Sequence, residues 1–283
     1  MSFLRLFRGW MVILGLIGLL LLVNVSQTLS LLILPLNRRW FMLVNMEIKR
    51  QFCGAVARGA RLCGNTLELS GDVPRAENTL LFANHQSMID IILIWMWAVP
   101  VHTAGWIKWF AKDSLKYIPA LGWGMMFVNT LFVKRDWAKD AESIRATFAR
   151  IRDGRLPTWL VIFPEGTRMK PSKLAASQAR ARRKSLEVFD HVLVPRGRGI
   201  HASLVGLDGH IVSVYDITIQ YVGAIPSLTR FFTVGGHKVR FHAKRYEISE
   251  VPMRHRDLNQ WLFDLFSEKN RKLAITVDTP NAN

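Results

Sequence analysis

Between Trp10 and Leu36 the chain carries no charged residue, and nothing else in it restricts the possible folds so strongly. Residues 10–23 (WMVILGLIGLLLLV) are apolar throughout, and Ser26, Gln27, Thr28 and Ser30 then dilute a second apolar run over 29–36. A bilayer core of ~30 Å takes roughly 20 apolar residues as a helix. Fourteen residues reach only about 21 Å at ~1.5 Å per residue. Two readings follow: one tilted helix from Trp10 past Gln27, or two short helices forming a re-entrant hairpin that bends near residues 24–28. Both flanks are basic, with Arg5 and Arg8 before and Arg38, Arg39, Lys49 and Arg50 after. The positive-inside tendency places both flanks in the cytoplasm and so favours the hairpin slightly. A cleaved signal peptide is the competing reading. The stretch is followed by no clear small-x-small cleavage site, so membrane attachment is the expectation.

Composition supports a membrane partner. Lys plus Arg number 38 against 21 Asp plus Glu, a net charge of +17 that calls for an anionic partner. Mean hydropathy is nevertheless +0.15 and there are ten Trp, which suits an anionic lipid surface better than soluble nucleic-acid binding. Half the residues are hydrophobic, which excludes wholesale disorder, and 283 residues exceed any disulfide-stapled mini-protein. Cys53 and Cys63 have no CxxC spacing, and no metal-ligand cluster is visible, so neither a disulfide framework nor a metal site is expected.

The remainder divides into an anchor over 1–45, an α/β domain over 46–275 and a loose polar tail over 276–283. Short apolar or alternating runs predict strands at 79–83, 130–133, 159–163, 192–194, 214–222 and 239–243. Ala141, Ile144, Phe148 and Ile151 share one face of a helix ending before Gly154. Leu258, Trp261, Leu262, Leu265 and Phe266 form the apolar stripe of a second helix. The expected fold class is α/β, with a mostly parallel or mixed sheet flanked by helices and an N-terminal membrane-embedded helical segment.

Two constellations carry chemistry. The first is Asn84-His85-Gln86-Ser87-Met88-Ile89-Asp90, directly after a predicted strand. Ser87-x-x-Asp90 before an apolar run reads as a helix N-cap, which makes His85 incidental. Residues five apart do not share a helix face, being about 140° apart. If the helix starts at Ser87, however, His85 lies in the preceding loop and can fold back toward Asp90. The carboxylate then fixes the imidazole tautomer and leaves the other nitrogen free to take a proton. The second is Phe163-Pro164-Glu165-Gly166-Thr167-Arg168, after another apolar strand. It reads either as a plain turn or as an anion pocket. In the pocket reading Gly166 permits close backbone approach, Arg168 offers a planar fork to phosphate, and Glu165 accepts from a polyol. A parallel sheet brings both loops to one edge.

In these blocks the chain resembles the membrane-bound glycerolipid acyltransferases, and most closely the 1-acyl-sn-glycerol-3-phosphate (lysophosphatidic acid) acyltransferases. Residues 84–90 match the family's His-x4-Asp motif and 163–168 its Phe-Pro-Glu-Gly-Thr-Arg block, about 75 residues apart. Lys112-x-x-Leu115-x-x-Ile118-Pro119-x-x-Gly122, continuing to Phe132-Val133-Lys134-Arg135, resembles a second block, and Val192-Leu193-Val194-Pro195 a fourth. Met169 stands where many members have Ser. The basic stretch after it and Val194-Pro195-Arg196-Gly197-Arg198-Gly199 resemble the lysocardiolipin acyltransferase-like branch.

The resemblance implies an enzyme of phospholipid biosynthesis or remodelling. His85 and Asp90 are its expected catalytic pair. Lys112, Arg135, Glu165, Gly166, Thr167 and Arg168 are expected to bind the phosphate and glycerol of a lysophospholipid acceptor. The expected donor is acyl-CoA or an acyl carrier protein, as co-substrate, with no cofactor or metal. Membrane lipids are expected partners, with the α/β domain on the cytoplasmic face of the inner membrane in a bacterium. The basic run from Arg168 to Lys184 reads as a solvated face, a surface toward anionic lipid, or a dock for the donor's acidic groups. The rival reading is a membrane-associated nucleic-acid-binding or scaffold protein. Nucleic acid is an unlikely partner by sequence, since no recognised nucleic-acid-binding signature is present.

Overall fold

The computed structural model describes residues 3–128, 130–134 and 137–275. Helix α1 (Phe3–Ser30) is continuous through residues 24–28, so the bend expected there is absent. Its polar side chains do not break it: Ser26 and Thr28 hydroxyls donate to the carbonyls of Leu22 and Asn24, four residues back, which satisfies them within the helix. The chain reverses instead over residues 31–37, through a 310 turn, and returns as α2 (Arg38–Leu62), started by the Asn37 side chain accepting from the Trp40 N–H at 3.0 Å. The anchor boundary expected at residue 45 falls inside α2, whose C-terminal half packs Cys53, Val56, Ala57 and Ala60 into the domain core.

The α1–α2 seam explains how polar residues sit in an apolar helix. Asn45 donates to the Ser30 hydroxyl (2.8 Å) and the Phe41 carbonyl, Ser30 donates to the Gln27 carbonyl, and the Gln27 amide donates to the Gly124 carbonyl. Gly9 lies against backbone on the protein side: a Cβ there would stand 2.4 Å from the Thr233 Cα. The opposite face exposes Phe3, Phe7, Trp10, Leu14, Ile17 and Leu21. The stretch Phe3–Ile33 is long and apolar enough to cross a membrane, and this exposed stripe makes the chain a membrane-associated one.

Strands β1 (Thr66–Gly71), β2 (Thr79–Ala83), β3 (Ile107–Lys112), β4 (Leu131–Val133), β5 (Trp159–Ile162), β6 (Ser213–Tyr221) and β7 (Lys238–Glu247) form one sheet in the order β1-β7-β6-β2-β5-β3-β4. From β6 to β4 every pairing is parallel; β7 runs antiparallel to β6 and carries β1 parallel to itself at the edge. Every residue of β2 and β5 is buried, as expected for parallel strands covered on both faces. Helices α2 and α3 (Ile89–Ala98) and the short α8 (Leu228–Thr233) cover one face, where Leu81, Ala83, Val161, Ile217 and Ile219 point. Helices α5 (Trp137–Asp153), α7 (Arg198–Gly206) and α9 (His255–Ile275) cover the other, where Leu80, Phe82, Leu160 and Val214 point. The short α4 (Leu121–Phe127) packs on α1, and α6 (Pro171–Arg183) follows the loop after β5.

The α/β class with a mixed sheet and flanking helices is thus the observed one. The run at 192–194 is not a strand, because its N–H groups are taken by side chains: Leu193 N–H donates to Glu165 and Val194 N–H to the Ser177 hydroxyl.

Candidate active site

Parallel strands direct their C-terminal ends to one edge, and three of these ends carry residues singled out by sequence, with Tyr221 at a fourth. His85 follows β2. The loop 163–168 follows β5, Lys112 ends β3, and Tyr221 ends β6.

The loop after β2 turns back over the first turn of α3, as the capping pattern allows. His85 Nδ1 lies 2.8 Å from Asp90 Oδ2, and the same oxygen accepts from the backbone N–H groups of Gln86 (2.7 Å) and Ser87 (2.9 Å). Asp90 Oδ1 accepts from the Tyr221 hydroxyl at 2.6 Å. Helix α3 starts at Ile89 and its N-cap residue, Met88, makes no side-chain cap bond; the Asp90 carboxylate instead binds the N–H groups of the loop before the helix and holds the imidazole. Because a carboxylate only accepts, Nδ1 bears a hydrogen, and in the neutral imidazole the lone pair is on Nε2. Asp90 is fully buried, while 13% of the His85 side chain stays exposed.

The imidazole is also fixed from its flat side. It stacks on Phe163 with ring centroids 3.9 Å apart and planes 14° apart, and Phe163 in turn lies parallel to Trp109 at 6.0 Å. Asn84, fully buried, pairs with the backbone of Ile219 in both directions, donating to its carbonyl and accepting its N–H.

Glu165 lies in the loop after β5. Its carboxylate is 3% exposed, and its two oxygens accept the N–H groups of His85 (2.8 Å) and Leu193 (2.9 Å). Both oxygens are thus engaged by the protein, and the carboxylate bridges three loops. Burial, reinforced by the Asp90 charge, pushes its pKa up to about 8, against the opposing pull of the two N–H donors.

Gly166 has φ +71°, a conformation that side chains disfavour, and its N–H closes the turn onto the Phe163 carbonyl. Thr167 is half-buried and Arg168 exposed; the next residue, Met169, donates its N–H to the His85 carbonyl at 2.8 Å, tying this loop to the histidine. Lys112 is exposed at the same sheet edge, on the strand next to β5. Arg135 lies outside the described residues.

Sequence reasoning missed Tyr221 and gave Asn84 no role. A signal for Tyr221 existed: strand alternation puts it on the same face as Tyr215, Ile217 and Ile219, the face that α3 covers. Arg196 was noted only as part of a resemblance. Its N–H donates to the Pro164 carbonyl and its guanidinium lies 3.9 Å from where a Gly166 Cβ would stand, with burial and the Arg180 charge lowering its pKa. Among the described residues no group of three or more His, Cys, Asp or Glu is arranged to hold a metal ion.

The carboxyl edge of the sheet thus brings together an imidazole held by a carboxylate and a loop bearing an exposed arginine. The sequence model of the family described as acyltransferase matches residues 66–215, and that of acyltransferase C-terminus matches 232–274. The chain belongs to the acyltransferase family. Among its relatives, 1-acyl-sn-glycerol-3-phosphate acyltransferase 3 of Arabidopsis thaliana is 30% identical over 266 residues, covering 89% of this chain and 70% of that protein. The Mus musculus 1-acyl-sn-glycerol-3-phosphate acyltransferase epsilon is 32% identical over 231 residues, covering 77% of this chain and 63% of that one. This chain therefore spans somewhat under two thirds of the mouse relative. The crystal structure of the 1-acyl-sn-glycerophosphate (LPA) acyltransferase PlsC from Thermotoga maritima shares the fold, with a TM-score of 0.50 at 16% identity, covering 90% of this chain and 97% of that one.

Proposed function

We propose that this protein moves a fatty acyl group from an acyl thioester to the sn-2 hydroxyl of a lysophospholipid, with lysophosphatidic acid as the acceptor. The observation that carries the reading is the 2.8 Å contact of His85 Nδ1 with Asp90, which turns Nε2 away from the carboxylate, at the sheet edge to which Arg168 and Lys112 also belong. The names of the relatives supply the acceptor.

In the reaction Nε2 takes the proton of the acceptor hydroxyl as its oxygen attacks the thioester carbonyl. The tetrahedral intermediate collapses, the C–S bond breaks, and the proton passes from the imidazolium to the leaving thiolate. The balance is one alcohol plus one thioester giving one ester plus one thiol. A thioester is activated already, so no acyl-enzyme is needed; general-base help contributes roughly 10²–10⁴-fold. Arg168, Lys112 and Arg135 hold the acceptor's phosphate, Gly166 and Thr167 shape the loop around it, and Glu165 keeps that loop against His85. Acyl-CoA or an acyl carrier protein is the donor. The exposed basic side chains of α6 lie toward anionic lipid, with the α/β domain on the cytoplasmic face.

Purified protein incubated with an acyl-CoA and a panel of lysophospholipids, with products identified by mass, tests the reading. Wild type is expected to acylate lysophosphatidic acid, and His85→Ala to lose at least about 100-fold in rate while still folding and floating with vesicles. Substantial turnover by His85→Ala refutes the assignment.

A further inference from the structure

The β6 strand reaches the catalytic loop at two points. The first is Ile219, whose N–H and carbonyl are both taken by the Asn84 side chain at 2.8 and 2.9 Å. Two residues further on, where alternation returns the chain to the same face, the Tyr221 hydroxyl donates to Asp90 Oδ1 at 2.6 Å. A circuit results. Asn84 sets the position of β6, β6 sets Tyr221, Tyr221 holds Asp90, and Asp90 holds His85, the residue after Asn84.

The two carboxylate oxygens of Asp90 have different tasks. Oδ2 faces the imidazole and the N–H groups of Gln86 and Ser87, so its partners all belong to the loop that it orients. Oδ1 has Tyr221, which comes from a different element, 131 residues away in sequence. A carboxylate held at one oxygen can still turn about its own axis; held at both, it presents Oδ2 to Nδ1 in one plane. The neighbouring ionisable group from the loop after β5 is Glu165, which accepts the His85 N–H, and Lys269 from α9 acts on it electrostatically. Ser87 is a further partner of the Tyr221 hydroxyl, whose burial beside Asp90 raises its pKa and keeps it a donor.

We infer that Tyr221 is a positioning residue of the reaction, acting through Asp90 to fix the orientation of the His85 imidazole. The inference rests on the general-base reading above.

The test uses full-length protein and four variants: Tyr221→Phe, Asp90→Asn, the double variant and His85→Ala. Phe keeps the ring that packs on the core and removes the hydroxyl, with its bond to Asp90 and its contact with Ser87. Tyr221→Phe is expected to lower kcat about 10- to 100-fold with acceptor KM within about twofold, since a hydrogen bond to a charged group is lost. In the Asp90→Asn background the same change should have little further effect, because the group it acts through is gone. A carboxylate short of one donor holds imidazolium more firmly, so the acid limb of kcat/KM against pH should move to higher pH. The position of that limb does not depend on how much of the variant is folded. An unmoved limb with unchanged kcat, or the full loss repeated in the Asp90→Asn background, overturns the inference. An active His85→Ala variant instead sinks the general-base reading beneath it.

Discussion

Glu165 accepts the backbone N–H of His85 at 2.8 Å, so the acid of one sequence block holds the main chain of the other across neighbouring parallel strands. Its second oxygen takes the N–H of Leu193 and brings in the loop that leads to α7. Three segments meet on one buried carboxylate. Their separation in sequence reflects the strand order, in which β2 lies between β6 and β5.

A substrate-binding Glu165 and a bridging Glu165 respond differently to change. Glutamine keeps one acceptor oxygen and sets an NH2 against the other backbone N–H. Leaving a buried donor unpaired costs about 1–3 kcal/mol. Glu165→Gln is therefore expected to lower unfolding free energy by about that amount and kcat by more than about tenfold, with little change in acceptor KM. Chemical denaturation alongside initial rates checks it. Unchanged stability with a raised acceptor KM would return Glu165 to the cleft.

Much of this frame was legible in the sequence, and the failures have physical causes. The buried strands β2, β5 and β6 announce themselves as apolar or alternating runs, and the His85–Asp90 pairing was legible from a histidine in the loop before a helix that carries the acid in its first turn. β1 (TLELSG) and β3 (IKWFAK) were missed: β1 is an exposed edge strand, and β3 ends in charges at the site. Helix α2 was hidden because its apolar face is short of large residues and uses Cys53, Gly54, Ala57 and Ala60 for close packing. The extended run 192–194 imitates a strand, but its hydrogen bonds go to Glu165 and Ser177. The bonds of Glu165 to the His85 and Leu193 N–H groups were not legible, because a Pro-Glu-Gly turn does not say which side of the loop its acid takes.

The two faces of α1 separate stability from membrane binding. Gly9→Ala sets a methyl group against the Phe232–Thr233 backbone and is expected to lower the melting temperature in detergent while vesicle flotation persists. Leu14→Lys with Leu21→Lys changes residues that are 59% and 56% exposed and touches no core contact. Each lysine costs up to about 2.5–3.5 kcal/mol in a hydrocarbon environment. That pair should abolish flotation and leave the melting temperature in detergent within a few degrees of wild type. If both changes alter both readouts alike, the division of faces is wrong.

Lys108 offers a test of burial. Its side chain is 2% exposed on β3, and its ammonium donates to the carbonyls of Trp106 (3.2 Å) and Pro157 (3.1 Å) rather than to an acid. Burial, with the nearby Lys49 charge adding to it, lowers its pKa from 10.5 to about 7. Between these values the unfolded chain holds a proton that the folded chain lacks, so the contribution of this group to stability improves as pH rises from 7 to 10.5. Below pH 7 the lysine is charged in both states and its burial penalty is felt in full. Lys108→Met keeps the stem and removes the charge. It is expected to stabilise the protein at pH 6.5 by on the order of 1–3 kcal/mol and to lose that advantage by pH 10, where the neutral amine still makes its two hydrogen bonds. Denaturant titrations of both proteins at the two pH values decide it. A difference that does not change with pH would mean that Lys108 is solvated in the folded protein.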